Sequence, residues 1–430
     1  MTLKSKSEST MSEASRHERR DSNASEIIAR ARKIAPLVAA EADRMQKLGR
    51  LSSQVDTAFR EAELYWMVLP KELRGGDLDL IAMMDVIEEV SLADGSAGWT
   101  LMACALNTLA PAAFGSESVV EEMFGGDRRA VVAGQFGPGR GVIARVDGGY
   151  RISGQFSFAS GASHANWLTA GVALTQNGTP EMLPNGYPNT VIGWFRREDV
   201  EILENWDVIG LQATGSYDYR IPDQFLPAAR TMEWTATRPL RGRPLYRIGI
   251  RPYGLAGHSA VMLGIAARAL VEASKALAAK RRPGFDGILG DNPVFRDDFA
   301  RHEAMFQGAR SYLRNMFGEV QENLRHEREF TDVDLLRMMQ AAIWGHEIGS
   351  EIARFCHVWA GSGAIYGNSA LGRCMRDMHT ATQHIIIDRL QYGPVARALI
   401  PQWGGYQPGL PLEPISRLHE RASLRDRLDG

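Results

Sequence analysis

Apolar residues recur at helix spacing over the first part of the chain. The pattern begins near Ser25 and continues, with a break at Gly75-Gly76, as far as Ala113. Residues three and four positions apart lie on one face of a helix, so this spacing predicts an all-helical N-terminal domain over residues 23–127. Residues 1–22 are charged and rich in Ser without any such spacing, and we expect them to form a disordered tail.

The pattern changes after Gly125-Gly126. Over residues 128–238 short apolar runs alternate with turn residues, and Asp147-Gly148-Gly149 is typical of a hairpin turn. This alternation predicts a middle domain that forms a small antiparallel β-barrel, with a sandwich as the alternative.

Long helical patterns return over residues 239–405 and predict a C-terminal four-helix bundle with short connections. Residues 406–430 follow as a C-terminal tail. The fold class is therefore mostly α with a β insert. The predicted bundle helices are Ala256–Arg281, Asn292–Arg325, Asp332–Trp359 and Leu371–Tyr392.

Composition narrows the possible partners. The chain has 430 residues, a net charge of −2 and three cysteines. A chain so close to neutral lacks the basic surface that nucleic acid binding requires. Few cysteines without a CxxC pair are typical of a cytoplasmic protein, and we expect no metal site. The apolar stretch Gly254–Val271 contains His258 and Arg268, so we interpret it as a buried helix and not as a membrane span.

Five short motifs occur in an order that is similar to that of one enzyme superfamily. They are Ser91–Trp99, Gly154–Trp167, Asn205–Ser216, Ala278–Arg282 and Arg376-Asp377, the last preceded by Gly361-Ser362-Gly363. Together they resemble the acyl-CoA dehydrogenase fold superfamily, from about residue 26 to residue 400. The resemblance implies the same order of helical domain, β-barrel and four-helix bundle.

The carboxylate that a dehydrogenase of this superfamily uses as its base is missing from both places where the superfamily carries it. No acid follows Asp377 until Asp388, and the segment 234–271 contains neither Asp nor Glu. His384 stands close to the expected position of the base. In this respect the chain is similar to the two-component flavin-dependent monooxygenases of group D, such as the p-hydroxyphenylacetate and dibenzothiophene monooxygenases.

This resemblance implies the oxygenase component of a two-component system. Such an enzyme uses reduced FMN or FAD and O2, through a C4a-hydroperoxyflavin, to hydroxylate a small aromatic substrate. A separate NAD(P)H flavin reductase would supply the flavin, because no G-x-G-x-x-G motif follows a predicted strand and opens a helix here. The resemblance also implies a homotetramer whose helices complete each flavin site.

The resemblance assigns catalytic roles to Ser160 and His384. A Ser hydroxyl can donate to the flavin N5 or to the peroxide, and a His on the last bundle helix with a pKa near neutral can deprotonate a phenol or donate a hydrogen bond. The competing interpretations are a turn at Ser160-Gly161 and a packed core histidine. His346 is interpreted as a residue of bundle packing.

Further residues are implied to bind the cofactor or the substrate. Phe158, two residues before Ser160 on a strand, should share its face and could wall the flavin. Thr214 and Ser216 could bond the polar edge of the flavin. The full predicted set is Trp99, Phe158, Ser160, Thr214, Arg282, Gly361 and Ser362 for the cofactor, and Tyr253 and His258 for the substrate.

Three alternatives remain open from the sequence. One is an acyl-CoA dehydrogenase-type oxidoreductase, which would need a carboxylate that the motifs do not provide. Another is an amine N-oxygenase of the same branch, which would not need His384 to activate a phenol. The third is a non-catalytic protein that retains the fold.

Overall fold

Helices at both ends of the chain flank a β-rich middle segment. The computed structural model describes residues 13–176, 179–183 and 188–404. The predicted tail at 406–430 lies outside these residues, and so do residues 1–12 of the predicted N-terminal tail.

The N-terminal part is helical, as its spacing predicts. Helix α1 begins at Glu13, so residues 13–22 are helical and the prediction of disorder is wrong for them. Each residue added to an existing helix gains a hydrogen bond at little further entropic cost, so an existing helix is readily extended. The helices are α1 (Glu13–Leu48), α2 (Ser53–Glu61), α3 (Leu80–Ala93), α4 (Gly95–Phe114) and α5 (Glu117–Phe124).

The middle segment forms two four-stranded sheets, in the orders β1-β4-β7-β10 and β2-β3-β9-β8, and a small two-stranded sheet β5-β6. The strands are β1 (Val132–Pro138), β2 (Arg140–Val146), β3 (Gly149–Ala159), β4 (Trp167–Ala173), β5 (Thr175–Gln176), β6 (Thr179–Pro180), β7 (Thr190–Arg196), β8 (Glu201–Ile202), β9 (Tyr217–Pro227) and β10 (Thr231–Glu233).

Two features of these sheets differ from the predicted antiparallel barrel. Strands β1 and β4 pair in parallel, because the β2–β3 hairpin carries the chain into the other sheet before it returns. Among the described residues the two large sheets do not pair with each other, so no closed barrel forms.

The C-terminal part is helical again. Helix α6 packs against α3, α4, α8 and α9, so it lies at the centre of the helical core. The helices are α6 (Ile250–Leu277), α7 (Pro293–Arg325), α8 (Asp332–Ala360), α9 (Ala370–Ala381) and α10 (Tyr392–Gly404).

The predicted helix Leu371–Tyr392 is shorter than its pattern suggests. Helix α9 ends at Ala381, and two 3₁₀ turns follow at Ile385–Ile387 and Arg389–Gln391. Three consecutive β-branched isoleucines have lower helix propensity, and the side chain of His384 caps the first turn instead. His384 therefore lies in a turn and not on a bundle helix.

Helices α4 and α6 are long and apolar enough, by length and composition, to cross a membrane. In the structure 94% of the apolar window of α4 and 78% of that of α6 are buried inside the protein. Both are covered by other parts of the chain, as we expected for Gly254–Val271.

Two buried carboxylates join the elements around the centre of the molecule. Asp94 caps α4, its Oδ1 accepting from the Ala97 N–H at 2.9 Å. Asp377 on α9 accepts from the Leu211 N–H at 2.6 Å. Both acids line one small cavity with Arg373. Burial raises the pKa of both carboxyls, and the charge of Asp94 helps to raise that of Asp377 to about 7, so the pair tends to hold a proton.

Replacing Asp377 with Asn should make stability less dependent on pH. The pKa of Asp377 rises from 3.8 to about 7 in the folded protein, so the folded state keeps a proton that the unfolded chain releases. Stability is therefore lost as pH rises from about 4 to about 7, by about 1.4 kcal/mol for each pKa unit of difference. Asn has the shape of the protonated acid and can still accept from the Leu211 N–H. Urea unfolding at about pH 5 and about pH 7.5 measures the difference.

The control for this prediction is Asp127→Asn, which changes an exposed acid in the turn after α5. It should keep the pH dependence of the wild type. The prediction fails if Asp377→Asn loses as much unfolding free energy between the two pH values as the wild type does.

Candidate active site

Four of the predicted site residues meet in one buried cluster. The Trp99 Nε1–H donates to the Ser160 Oγ at 3.1 Å. The Trp99 ring stands edge-on to the rings of His258 and His384, with centroids 4.7 Å and 5.7 Å away. The two histidine rings are 4.2 Å apart. Helix α4, the end of β3, helix α6 and the turn after α9 each contribute one member, so only the tertiary structure brings them together.

Close packing on two sides holds Ser160 in place. The Gly161 N–H donates to the Thr214 carbonyl at 2.9 Å, and the Cys104 Sγ on α4 lies 3.8 Å from the Ser160 carbonyl that accepts from it. Gly161 has a φ of +82°, and a Cβ there would lie 2.4 Å from the Cys104 Sγ. Glycine is therefore required for the strand to approach α4 so closely.

A chain of hydroxyl groups continues from Ser160. Its Oγ lies 2.6 Å from the Ser216 Oγ, which lies 2.7 Å from the Thr214 Oγ1. The Thr214 hydroxyl donates to the Leu211 carbonyl at 2.9 Å. Asp377 holds the N–H of the same Leu211, so the hydroxyl chain is anchored to the buried carboxylates.

Phe158 does not share the face of Ser160. The pairing of β3 with β9 shifts between Phe156 and Ala159, and Phe158 takes a φ of +67° in the left-handed region. Its side chain is 64% exposed, whereas Ser160 is 7% exposed. The expected alternation is wrong here because a bulge adds a residue to the strand. Its role as a wall of the flavin stays a prediction.

His384 is a neutral hydrogen-bond donor. Its Nδ1 accepts from the Ile386 N–H at 3.2 Å, so the neutral ring carries its hydrogen on Nε2. Burial, with a smaller contribution from the nearby His346, lowers the pKa of His384 from 6.5 to about 4. The expected pKa near neutral is therefore wrong. The lone pair that a base would need is occupied, and the geometry favours donation from Nε2.

Two further histidines contribute buried nitrogens to this region. Burial, followed by the neighbouring His384 and His346, lowers the pKa of His258 well below its usual value. His346 on α8 binds the Ala342 carbonyl through Nδ1 at 2.8 Å, and burial lowers its pKa to about 4. Neither the His258 Nδ1 nor the His346 Nε2 has a hydrogen-bond partner in the described part of the chain.

Unpartnered nitrogens of this kind indicate a site that takes a polar ligand, because buried polar groups are normally satisfied. Together with three aromatic rings they fit a flat heteroaromatic group such as a flavin ring. Sequence reasoning did not place His346 in this region, because nothing in its neighbours along α8 marks which helix it faces.

Tyr253 lies in a different cluster from His258. It stacks on Tyr246 with ring centroids 6.1 Å apart, near Arg243. Burial raises the pKa of the Tyr253 hydroxyl, which has no partner among the described residues. Residues five positions apart on a helix point in different directions, so the two predicted substrate residues are not neighbours on one face.

Three of the predicted cofactor-binding residues, Arg282, Gly361 and Ser362, also lie apart from the cluster. Arg282 donates to the Trp359 carbonyl at 2.9 Å and Lys280 donates to the Ala360 carbonyl, so both cover the C-terminal end of α8. Gly361 and Ser362 follow directly. This end is about 20 Å along α8 from His346, at about 1.5 Å per residue. Arg282, Gly361 and Ser362 are thus together, but they do not meet Ser160 within one chain.

Acids next to the histidines in the sequence already have partners. The Asp388 Oδ1 accepts from the Leu390 N–H at 2.9 Å and caps a turn. Glu347, which follows His346, pairs with Arg389 at 2.8 Å and accepts from the Tyr392 hydroxyl at 3.2 Å. Neither carboxylate is arranged as the base of a dehydrogenase.

Comparisons with known proteins agree with this geometry. A family model described as "Acyl-CoA dehydrogenase, C-terminal domain" matches residues 256–389. The chain is 29% identical to an indole-3-acetate monooxygenase of Pseudomonas putida over 357 residues, which cover 82% of this chain and 87% of that protein.

The chain is therefore similar to the acyl-CoA dehydrogenase superfamily, and its relatives are named as monooxygenases or hydroxylases, among them a flavin-dependent one.

Solved structures share the superfamily fold. The 3-HSA hydroxylase of Rhodococcus sp. RHA1 superposes with a TM-score of 0.81 at 22% identity, covering 90% of this chain and 98% of that one. XiaF of Streptomyces sp., in complex with FADH2 and glycerol, superposes with a TM-score of 0.80 at 19% identity, covering 92% and 99%. At these identities the likeness concerns the fold.

Replacing Trp99 with Phe should cost more stability than replacing Trp194 with Phe. Both indoles are buried, but the Trp99 N–H donates to Ser160, whereas the Trp194 N–H has no partner among the described residues. The two changes remove similar ring area, so the difference reports the hydrogen bond, which is worth about 1 kcal/mol. Urea unfolding gives both free energies, and equal losses would contradict the contact between Trp99 and Ser160.

Proposed function

We propose that the protein is the oxygenase component of a two-component monooxygenase that hydroxylates a small aromatic substrate. The observation that carries the proposal is the cluster of Trp99, Ser160 and His384, which offers hydrogen-bonding groups and aromatic walls. The relative named indole-3-acetate monooxygenase supports a heteroaromatic acid as one class of substrate.

Each residue of the cluster has a physical role in this reaction. When bound, reduced flavin supplies the electrons and activates O2. The rings of Trp99, His258 and His384 form flat walls that exclude water, which would otherwise divert the oxygen into free peroxide. The Nε2–H of His384 donates to an oxygen atom held at this wall. Because the pKa of His384 is about 4, this donor persists throughout the neutral range.

The cofactor would be held from two directions. We propose that the C-terminal end of α8, together with Arg282, Gly361 and Ser362, binds the phosphate of a flavin whose ring lies in a neighbouring copy of the chain. Since this end of α8 lies apart from His346 within one chain, a second copy would be needed to bring the two parts of the site together. This separation supports a homotetramer in which α6 to α9 form the four-helix bundle. Exposed Val358, Ile365 and Tyr366 near the same end support contact with another copy.

FMN and FAD are both candidates for the flavin. One solved structure of this fold carries FADH2, and another carries FMN together with indole. We expect a separate NAD(P)H-dependent reductase to supply either flavin in reduced form. Three buried, unpaired cysteines support a cytoplasmic location.

The role of His384 can be tested with two amide substitutions, each of which keeps the hydrogen-bonding group of one ring nitrogen. Asn places an acceptor near the position of Nδ1, and Gln places an N–H donor near that of Nε2. If donation from Nε2 matters, His384→Asn should keep the turn but lower product formation by about a hundredfold, the usual scale of a positioned proton donor. His384→Gln should retain more activity. The measurement is product formed and peroxide released per NADH oxidised, with indole-3-acetate as the first substrate.

Three results would change the proposal. Equal activity of the Asn and Gln variants would argue against the donor at Nε2. An amine N-oxygenase would keep its activity on amines in His384→Ala. Oxidation of an acyl-CoA thioester by the wild type would favour the dehydrogenase alternative.

A further inference from the structure

The hydroxyl chain behind Ser160 has a preferred direction. Each hydroxyl has a single hydrogen, and that of Thr214 is donated to the Leu211 carbonyl. Ser216 must then donate to Thr214, and Ser160 must donate to Ser216. One lone pair of the Ser160 Oγ accepts from the Trp99 N–H, and the other is free.

The opposite direction satisfies one hydrogen fewer. If Thr214 donated to Ser216 and Ser216 to Ser160, the Ser160 hydrogen would find no acceptor among the described residues. All three hydroxyls are buried, so an unmade hydrogen bond is costly. Without a ligand that accepts from Ser160, the chain therefore points from Ser160 towards Leu211.

This direction distinguishes the two redox states of a flavin. The N5 atom of reduced flavin carries a hydrogen and donates, whereas the N5 atom of oxidised flavin has a bare lone pair and accepts. When Ser160 donates its hydrogen to Ser216, it can accept a hydrogen bond from N5 of reduced flavin. It then has no hydrogen left to donate to N5 of oxidised flavin. Sequence reasoning expected Ser160 to donate to the flavin; in this structure it is arranged to accept.

We propose that Ser216 and Thr214 are positioning residues that hold Ser160 as a hydrogen-bond acceptor, so that the site binds reduced flavin in preference to oxidised flavin. The inference rests on the proposed function, in which Ser160 faces the flavin N5. Oxidised flavin can accept from Ser160 only if the hydrogen bond from Ser160 to Ser216 is given up. The loss of one such bond corresponds to about a fivefold weaker affinity. Spent flavin would thus leave the site readily and return to the reductase.

Two variants remove the preferred direction by different means. Ser216→Ala deletes the acceptor of the Ser160 hydrogen. Thr214→Val deletes the acceptor of the Ser216 hydrogen, which then turns to Ser160. The Leu211 carbonyl is not left unsatisfied in Thr214→Val, because it also accepts from the Trp206 Nε1–H at 3.1 Å and the backbone N–H of residue 214 at 3.2 Å.

Two further variants serve as controls. Thr214→Ser keeps the hydroxyl and should keep the direction of the chain. Ser259→Ala deletes a buried hydroxyl on α6 that donates to the Leu255 carbonyl of its own helix, outside the chain. It controls for the loss of a buried serine in general.

The experiment measures dissociation constants of oxidised flavin and, under anaerobic conditions, of reduced flavin, using FMN and FAD separately with the full-length protein. We expect the wild type, Thr214→Ser and Ser259→Ala to bind the reduced form at least about fivefold more tightly. In Ser216→Ala and Thr214→Val this ratio should fall about fivefold, mainly because oxidised flavin binds better. If one of the two variants fails to fold, the other decides.

The inference is overturned if the wild type binds both forms equally or prefers the oxidised form. It is also overturned if Ser216→Ala and Thr214→Val keep the wild-type ratio, and in either case the proposed monooxygenase function still stands. If neither FMN nor FAD binds in either redox state, the proposed function falls and takes this inference with it.

Discussion

The contact between Asp377 and the backbone of Leu211, together with the cap that Asp94 provides for α4, is the constraint on which the rest of the site depends. Helix α4 carries Trp99, the loop that begins at Leu211 carries Thr214 and Ser216, and helix α9 leads directly to the turn with His384. A shift of any of these elements would separate the rings from the hydroxyl chain. Two acids buried side by side are unfavourable unless they share a proton or accept hydrogen bonds. Here backbone N–H groups donate to both carboxylates.

The site itself is kept electrically neutral. Burial holds His258, His346 and His384 in their uncharged forms, so their nitrogens act through fixed donors and lone pairs and not through charge. The backbone decides which nitrogen carries the hydrogen, through the Ile386 N–H at His384 and the Ala342 carbonyl at His346. Such an arrangement suits oxygen transfer from a bound cofactor to an aromatic ring, because it excludes water and holds polar groups in place without attracting ions.

The same fold serves acyl-CoA dehydrogenases, which place a carboxylate base next to the flavin. In this sequence His384 stands close to the place expected for that base, and the nearby acids Asp388 and Glu347 serve as a cap and in an ion pair. A shared fold is thus compatible with different chemistry, because the reaction depends on a few side chains at the site and the fold depends on the core.

Much of the architecture was predictable from the sequence by itself. Helix spacing and the change to short alternating runs after residue 125 predicted the helical ends and the β-rich middle. The resemblance of the motifs, with no acid between residues 234 and 271, implied the monooxygenase branch. These features are local, since they depend on the period of the backbone and on the residue types present.

Other properties were decided only by the tertiary structure. The separate sheets with a parallel β1–β4 pair, the bulge that exposes Phe158, the end of α9 before His384 and the inclusion of His346 all depend on contacts between distant residues. The tautomer of His384 and the direction of the hydroxyl chain are decided in the same way. Hydrogen-bond donors and acceptors are assigned by partners in space, and the sequence does not state which partners will meet.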